Sequence, residues 1–532
     1  MYKQRAMTLA NLCRTCKIFK SVAEPLLYTA YVKPANYWFQ ERRPDEGIPD
    51  VESDEDMPGT RDPRPLQRFE WRAMEPNRSL RKFLRAILRR LDLAASVRFL
   101  ALDYWNTCHF LSELNVTTQR PDDELIGLMT RALATDVPSN DRNRILRDFS
   151  KGREDAEVAC LLKLVPNLEV LEMALRPEDY SIYDDVAVDQ NGLYHFEAIV
   201  RDATTHSSSQ NIQSFARLEQ LAVTSDRRRP SDCDLSVQSI RGYPIRCITD
   251  FFSLPKLKHF NSWGGWSQWV SSTNSSKYSL QPSTSIETLG FHDDVLSVRD
   301  LRTLLGAYVN LKDLTLHRST FSNSRFCSAS ELLDALEPVA KSLQKLSICP
   351  YNAILWNNVD HETQGSLKSL SAVRRLGLPS NTLEHFSIRP YRNWEEIEKP
   401  NIKEISCLSK IFTPSVEVLT IYDTTSIYVL QDFLGALFCM IHQGSSALTE
   451  IIVEPRGRWD PNSLEGNQKA AIEGYIIRFE QIDVKLITAP QASDAGTETT
   501  DSSPDTTEIA LCQAAGPPGN LTPGIQRAYA PY

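Results

Sequence analysis

The chain has 532 residues, of which 41% are hydrophobic, so it is long enough to bury an extended core. Its formal net charge of −9 is modest for this length and argues against a general nucleic-acid-binding surface. No apolar run approaches the roughly 20 residues that span a bilayer, and the first residues lack a signal-peptide core. Eleven cysteines without regular spacing predict reduced thiols in an intracellular protein, cytoplasmic or nuclear.

The first predicted elements are two short helices at the N-terminus. Thr8 is a suitable N-cap for the first helix, and Pro25 suits the start of the second. Apolar residues recur here at helical spacing, which predicts a face that docks on the rest of the chain or on a partner. The residues of this face are Leu9, Leu12, Cys13, Cys16, Phe19, Val22 and Leu26.

Composition then divides the chain into four regions. The predicted boundaries are 1–35 for the N-terminal helices, 36–79 for a linker, 80–487 for a repeat region and 488–532 for a tail. We expect the tail and residues 41–65, which are rich in charge and proline, to be disordered. Residues 177–212 are interpreted as a polar insertion between two repeats.

The repeat region contains a short phrase nine times: an apolar residue, two variable residues, an apolar residue, one variable residue and an apolar residue. The phrases begin at Leu168, Leu218, Leu257, Ile286, Leu311, Leu343, Val373, Val416 and Leu448. In a strand the fourth and sixth positions point to the same face, so stacked parallel strands bury both. We therefore predict one buried ladder, formed by Leu171, Leu221, Leu289, Leu314, Leu346, Leu376 and Leu419.

Amphipathic stretches separate these phrases. They begin near Ala156, Val298, Ser328 and Val429, and their apolar residues recur every three or four positions, as in helices. Alternating helix and strand at intervals of 25 to 50 residues predicts an α/β, leucine-rich-repeat-like curved solenoid with a parallel sheet. The alternative is a doubly wound single-sheet α/β domain.

The fifth position of each phrase is expected on the concave face of such a solenoid. Small residues dominate it: Ala222, Gly290, Thr315, Ser347, Gly377 and Thr420. Either a ligand approaches this floor closely, or curvature or a covering loop excludes larger residues. Asp313, Lys345 and Arg375 are expected to supply charge around it.

Three tryptophans, Trp263, Trp266 and Trp269, follow the Leu257 phrase. Tryptophan is enriched where protein partners bind, so these residues are candidates for substrate binding. The alternative is that the rings cap the repeat core beneath a loop.

The N-terminal segment resembles the second half of an F-box, particularly the fungal form. The similarity lies in the run from Cys16 to Phe19 and in the sequence AEPLLY, residues 23–28. The phrases are similar to the leucine-rich repeats that follow F-boxes in substrate adaptors of cullin–RING ubiquitin ligases. The resemblance implies that the N-terminal apolar face binds a Skp-type adaptor and that the repeats hold a protein substrate.

One part of the family pattern has no counterpart here. An F-box begins with a Leu-Pro dipeptide and a further helix, but only seven residues precede Thr8. We expect that helix to lie in an upstream extension of the chain. The alternative is a leucine-rich-repeat scaffold without a ligase link.

The sequence offers little that is typical of an enzyme. Cys13 and Cys16 form a single CxxC within a helical pattern, where packing explains both residues. The nine histidines are dispersed, and nucleotide-binding or hydrolase motifs do not occur. We therefore expect an interaction protein without catalytic residues, metal ligands or a cofactor, and without nucleic-acid or membrane partners.

Overall fold

A computed structural model shows how these elements assemble. It describes residues 8–10, 23–32, 78–102, 123–134, 139–150, 153–175, 194–205, 214–225, 243–266, 285–292, 294–317, 320–321, 329–349, 367–379, 413–424, 427–442, 444, 446–455 and 466–488. In this part of the chain no helix is both long enough and apolar enough to cross a membrane.

The strands are numbered in chain order. They are β1 Ala30–Val32, β2 Phe99–Leu102, β3 Val170–Leu175, β4 Gln220–Ser225, β5 Tyr243–Pro244, β6 His259–Trp263, β7 Gly265–Trp266, β8 Thr288–His292, β9 Val295–Leu296, β10 Asp313–His317, β11 Thr320–Phe321, β12 Lys345–Cys349, β13 Arg375–Pro379, β14 Val418–Thr424, β15 Glu450–Pro455 and β16 Lys485–Thr488.

The helices are numbered likewise. They are α1 Arg78–Arg89, α2 Leu91–Ala94, α3 Asp123–Leu133, α4 Ser139–Ser150, α5 Glu154–Leu164, α6 Tyr194–Thr205, α7 Val298–Gly306, α8 Ala329–Leu336, α9 Ile427–His442 and α10 Gly466–Glu480. Within the described residues, 3₁₀ helices lie at Ile245–Ser253, Glu337–Val339 and Leu367–Ser369.

Twelve of the described strands form one open, all-parallel sheet. Their order is β1-β2-β3-β4-β6-β8-β10-β12-β13-β14-β15-β16, so each strand lies beside the next one along the chain. A doubly wound sheet reverses its strand order at a switch point, and this sheet does not. Because parallel crossovers are right-handed, a sequential order places all the helices on the same side of the sheet. The fold is therefore α/β with a progressive parallel sheet, and the doubly wound alternative is excluded.

The predicted leucine ladder is confirmed. The seven leucines are each at most 2% exposed. The strand register pairs neighbours directly, as in Leu289 with Leu314 and Leu314 with Leu346. Phe260 takes the same place in β6 and Ile451 in β15. One continuous hydrophobic core thus lies between the sheet and the helices.

The structure corrects the interpretation of residues 177–212 as an insertion. Helix α6 lies within this range, and Phe196, Ile199 and Val200 are buried in the core. These residues recur at helical spacing inside an otherwise polar segment, so a composition average conceals them. The long interval between β3 and β4 therefore contains a helix of the helical layer.

The sheet also begins earlier than the predicted repeat boundary at residue 80. Residues 23–27 are helical, and β1, which follows them, pairs in parallel with β2. Tyr28 and Tyr31 both stack on Phe83 of α1, with the Tyr31 ring centroid 4.1 Å from that of Phe83. Strand β1 is therefore the edge strand of the sheet, although the sequence placed it with the N-terminal helices.

A buried polar network joins α4, α5 and α6. His195 Nε2 lies 2.9 Å from Asp148 Oδ2, and Arg153 donates to the same oxygen at 3.2 Å. The backbone N–H of His195, in the first turn of α6, donates to the Asp155 carboxylate at 2.9 Å. Burial lowers the pKa of His195, so Arg153 supplies the positive charge that balances Asp148 at neutral pH. The network fixes the relative positions of three helices.

Two buried tyrosines allow a prediction about hydroxyl groups in the core. The Tyr308 ring packs edge-on against Phe252, and among the described residues its hydroxyl has no hydrogen-bond partner. Tyr308→Phe should therefore leave the free energy of unfolding unchanged or raise it by about 1 kcal/mol, because an uncompensated hydroxyl is no longer desolvated. Urea denaturation measures this.

Tyr243→Phe is the matched control. Tyr243 is equally buried, but its hydroxyl forms a hydrogen bond with Ser262 Oγ. Its replacement should destabilise the protein by about 1 kcal/mol. A loss of stability in Tyr308→Phe as large as in Tyr243→Phe would show that the Tyr308 hydroxyl has a partner in the folded protein.

Candidate interaction surface

The sheet face opposite the core carries three rows of side chains, and we call it the open face. The middle row follows the strand register from Ala222 through Asn261, Gly290, Thr315, Ser347 and Gly377 to Thr420. The six small residues predicted to share a face therefore do share it. Asn261 joins them as a larger member.

Two of these small residues are explained by neighbouring side chains. A Cβ atom on Gly290 would lie 2.2 Å from Asn261 Oδ1, and one on Gly377 would lie 2.5 Å from Cε2 of Tyr422. Both glycines are thus covered by side chains from the same face. At these positions a small residue makes room for the protein's own side chains, and close approach of a ligand is not required to explain it.

Among the described residues, four rings lie in the row nearest the C-terminal ends of the strands, which also contains non-aromatic residues such as Cys349. Trp263 stacks on His292 with ring centroids 4.8 Å apart and planes at 12°. His292 lies 5.9 Å from His317, and His317 meets the Tyr422 ring at 6.3 Å in an edge-on arrangement. These four residues form the aromatic strip, which runs from Trp263 in β6 to Tyr422 in β14.

Tyr422 is held in place by a hydrogen bond across two strands. Ser347 Oγ in β12 donates to the Tyr422 hydroxyl at 3.0 Å, so the Tyr422 side chain lies over the intervening strand β13. Gly377 in β13 leaves the space for it. The hydrogen bond and the space above Gly377 therefore define the position of the Tyr422 ring.

The electrostatic environment of His292 is unusual for a sheet surface. The side chain is only 5% exposed, although it lies on the open face. Burial, with smaller contributions from His317 and Lys345, lowers the pKa of His292 to about 3. The ring is therefore neutral at physiological pH, and the strip carries no charge at this point.

A polar corner positions Trp263. Gly264 adopts a left-handed conformation with φ 74°, which favours glycine, and its N–H donates to the His292 carbonyl at 2.9 Å. The buried Asp294 carboxylate accepts from Ser262 Oγ at 2.6 Å and from the Gly265 N–H. This corner links the main sheet to a small parallel sheet of two-residue strands in the order β11-β9-β7-β5.

The structure places the predicted tryptophans unequally. Trp263 is partly buried in the strip. Trp266 lies in β7, but its side chain is outside the described residues, and so is the whole of Trp269. Partner binding and packing beneath a loop therefore both stay open for Trp266 and Trp269. Trp263 packs against His292 and is also partly exposed.

The predicted charged residues occupy the row at the N-terminal ends of the strands. Lys345 donates to Asp313 Oδ2 at 3.0 Å, and Arg375 is the register neighbour of Lys345. Arg375 is exposed. Charge of both signs lies here, as expected.

Most of the predicted adaptor-binding face lies outside the described residues: Leu12, Cys13, Cys16, Phe19 and Val22. Leu9 is described and partly exposed. Leu26 is 57% exposed beside the edge strand β1.

His292, His317 and Tyr422 were not among the candidates from sequence. Each stands two residues after the small fifth position of its phrase, and Trp263 stands at the same seventh position. Since side chains alternate along a strand, the seventh position shares the open face. A comparison of the seventh positions of the phrases would have identified the strip from the sequence.

Comparisons with known proteins add no assignment. No protein-family model matches the chain, and a search of curated proteins also returns no match. Across the described ranges, no group of three or more His, Cys, Asp or Glu side chains is arranged to hold a metal ion.

Proposed function

We propose that this protein is a leucine-rich-repeat interaction module that recruits a protein substrate to a cullin–RING (Skp–cullin–F-box) ubiquitin ligase. The open face of the sheet holds the substrate, and the N-terminal helical segment binds the Skp-type adaptor. The chain contributes proximity, while ubiquitin transfer takes place on the partner enzymes.

The sequential order of the strands in the sheet is the observation that best supports an interaction role. Strands in sequential, in-register order are what stacked repeats produce, and such arrays present one long face without interruption. The aromatic strip adds rigid ring surface to that face, and rigid aromatic residues bind partners at small entropic cost.

The ligase link is supported by the N-terminal segment. AEPLLY forms a helical turn that leads directly into β1, so an F-box-like segment would be attached rigidly to the sheet. Leu26 in this segment is exposed at the sheet edge. A rigid connection suits a ligase adaptor because it holds the substrate at a fixed distance from the transfer site.

Co-purification with the Skp-type adaptor tests this proposal. We expect a form that carries an upstream F-box helix to retain the adaptor, and Leu26→Lys to reduce its recovery by about tenfold through loss of apolar contact. Leu91→Lys is the matched control, because Leu91 is 58% exposed on α2 and has no proposed contact.

The alternatives give different results. Strong recovery with the chain starting at Met1 would show that the upstream helix is dispensable. Failure of both forms to retain the adaptor would contradict the ligase role and leave a leucine-rich-repeat scaffold. Equal losses in the Leu26 and Leu91 variants would show that Leu26 is not a specific contact.

A further inference from the structure

The middle row of the open face continues beyond Ala222 and reaches a lone carboxyl group. Ala222 in β4 pairs in register with Glu172 in β3, which pairs in turn with Ala101 in β2. Glu172 is partly exposed, and its carboxylate forms no hydrogen bond or ion pair with any described residue. Because both register neighbours are alanines, the row leaves space beside the Glu172 side chain.

The surroundings of Glu172 are apolar or small. Phe99 and Val170, both partly exposed, occupy the adjoining row, about 7 Å toward the N-terminal ends of β2 and β3. Ala174 follows Glu172 on the same strand and is buried. Burial alone raises the pKa of the Glu172 carboxyl to about 7, with no contribution from a hydrogen bond or a neighbouring charge. Ionising this group in the free protein therefore has a free-energy cost that a nearby cation would remove.

Charge is otherwise missing from this end of the open face. On β1, β2, β3, β4 and β6, the described side chains of the three rows are Ala30, Phe99, Val170, Gln220, His259, Ala101, Glu172, Ala222, Asn261, Ala174, Thr224 and Trp263. Glu172 is the only carboxylate among them, and this set contains neither Lys nor Arg. Burial lowers the pKa of His259, so its imidazole is neutral at pH 7. Within the described part of this face, no cation is placed to pair with Glu172.

We infer that Glu172 binds the side chain of a lysine or arginine residue of the protein held on the open face. The charged end of that side chain pairs with the carboxylate, and its aliphatic stem packs on Phe99 and Val170. The inference rests on the proposed function in taking the open face as the substrate-binding surface. It adds a basic residue as a requirement that the substrate must meet.

The site favours a basic side chain over other ligands that a carboxylate could bind. A metal ion needs several protein ligands, and the described residues contain no group of three or more that could supply them. A nucleic acid is repelled by the carboxylate and gains affinity from many cations, which the described residues of this end of the face lack. Lysine and arginine combine an apolar stem with a charged end, which matches one carboxylate within an apolar patch.

Selection of random dodecapeptides displayed on phage, with the full chain immobilised, tests the inference. At pH 7.5 we expect the enriched peptides to share a Lys or Arg at one position. Selection against Glu172→Gln should not enrich this basic residue. The substitution keeps the shape of the side chain and removes the charge, and circular dichroism verifies that the variant is folded.

Fluorescence anisotropy with the most enriched peptide, synthesised and labelled, measures the contact directly. Norleucine in place of the basic residue keeps the stem and should weaken binding to the native chain about tenfold. Glu172→Gln should cause the same loss, and the norleucine peptide should then bind this variant no more weakly than the original peptide does. Glu169→Gln is the matched control, because Glu169 is exposed just before β3 and pairs with Arg98 at 3.4 Å. We expect it to change the affinity less than twofold.

The pH dependence of binding distinguishes a direct contact from a structural role of Glu172. The free carboxyl has a pKa of about 7, and a bound cation keeps it ionised, so binding releases a proton and weakens as the pH falls. From pH 8 to pH 6 the affinity of the native chain should fall about tenfold, as the ionised fraction does. The affinity of Glu172→Gln should stay constant, and any titration of His259 is common to both proteins.

Three results would overturn the inference: the absence of a shared basic residue among selected peptides, equal losses in the Glu172 and Glu169 variants, or the same pH dependence in native chain and Glu172→Gln. Failure to enrich any peptide counts as the first of these. Because the experiment contains no adaptor, each result would leave the ligase link untouched. Enriched peptides without a basic residue would still show that the chain binds peptides, and would contradict only the assignment of Glu172.

Discussion

Leu314→Ala is expected to lower the free energy of unfolding by about 2–5 kcal/mol, the range for deleting a fully buried leucine side chain. Leu314 is completely buried in β10, in the interior of the sheet. It packs in register between Leu289 and Leu346, so the cavity weakens the interfaces with both neighbouring strands. Those interfaces are the main source of stability in a stacked array.

Urea denaturation followed by circular dichroism measures this loss. Val309→Ala is the control, because Val309 is 55% exposed just after α7, and we expect a change within about 0.5 kcal/mol. If Leu314→Ala were as stable as the control, the buried leucine ladder would not be what stabilises the sheet.

The ladder was predictable because the information is local. Each phrase places its leucine at the same position, and the alternation of side chains along a strand assigns that position to one face. The sequence thus predicts Leu314 and Leu346 as equivalent residues, and stacking makes them neighbours. Phe260 and Ile451 take the same place because any large apolar side chain fills it.

Helix α6 was less accessible to sequence reasoning. Its buried residues Phe196, Ile199 and Val200 lie between polar stretches, so the segment is hydrophilic on average. A search for helical spacing within the segment distinguishes such a helix from an insertion, whereas the average composition of the segment does not.

The aromatic strip depends on information that no single phrase contains. Tyr422 and Ser347 are 75 residues apart in the chain and meet only because β13 alone separates their strands. The residue that explains Gly377 is also distant in sequence, because the Tyr422 ring occupies the space above this glycine. Residue types at one position were predictable, but contacts across strands required the register.

His292 should make the protein less stable as the pH falls from neutrality. Its folded-state pKa is lowered to about 3, whereas an unfolded histidine titrates near 6.5. Between these values the unfolded chain binds a proton that the folded chain excludes, so acidification favours unfolding. From pH 7.5 to pH 5 this one residue should remove about 2 kcal/mol of stability.

Other groups titrate in the same range, so a single curve cannot isolate this contribution. Burial also lowers the pKa of His195 and of His259, which gives the same sign. Burial raises the pKa of Glu172 to about 7. The folded chain therefore holds that proton more tightly than the unfolded chain, and Glu172 opposes the histidines as the pH falls.

His292→Phe removes the titrating group and keeps a ring against Trp263. The difference in unfolding free energy between this variant and the native chain removes the contribution of distant groups such as Glu172, which lies three strand spacings away, roughly 14 Å. Urea denaturation at pH 7.5, 6 and 5 should show the variant gaining about 2 kcal/mol relative to the native chain over this range. Parallel stability curves for the two proteins would mean that His292 takes up a proton in the folded state, and that the aromatic strip carries a positive charge at mildly acidic pH.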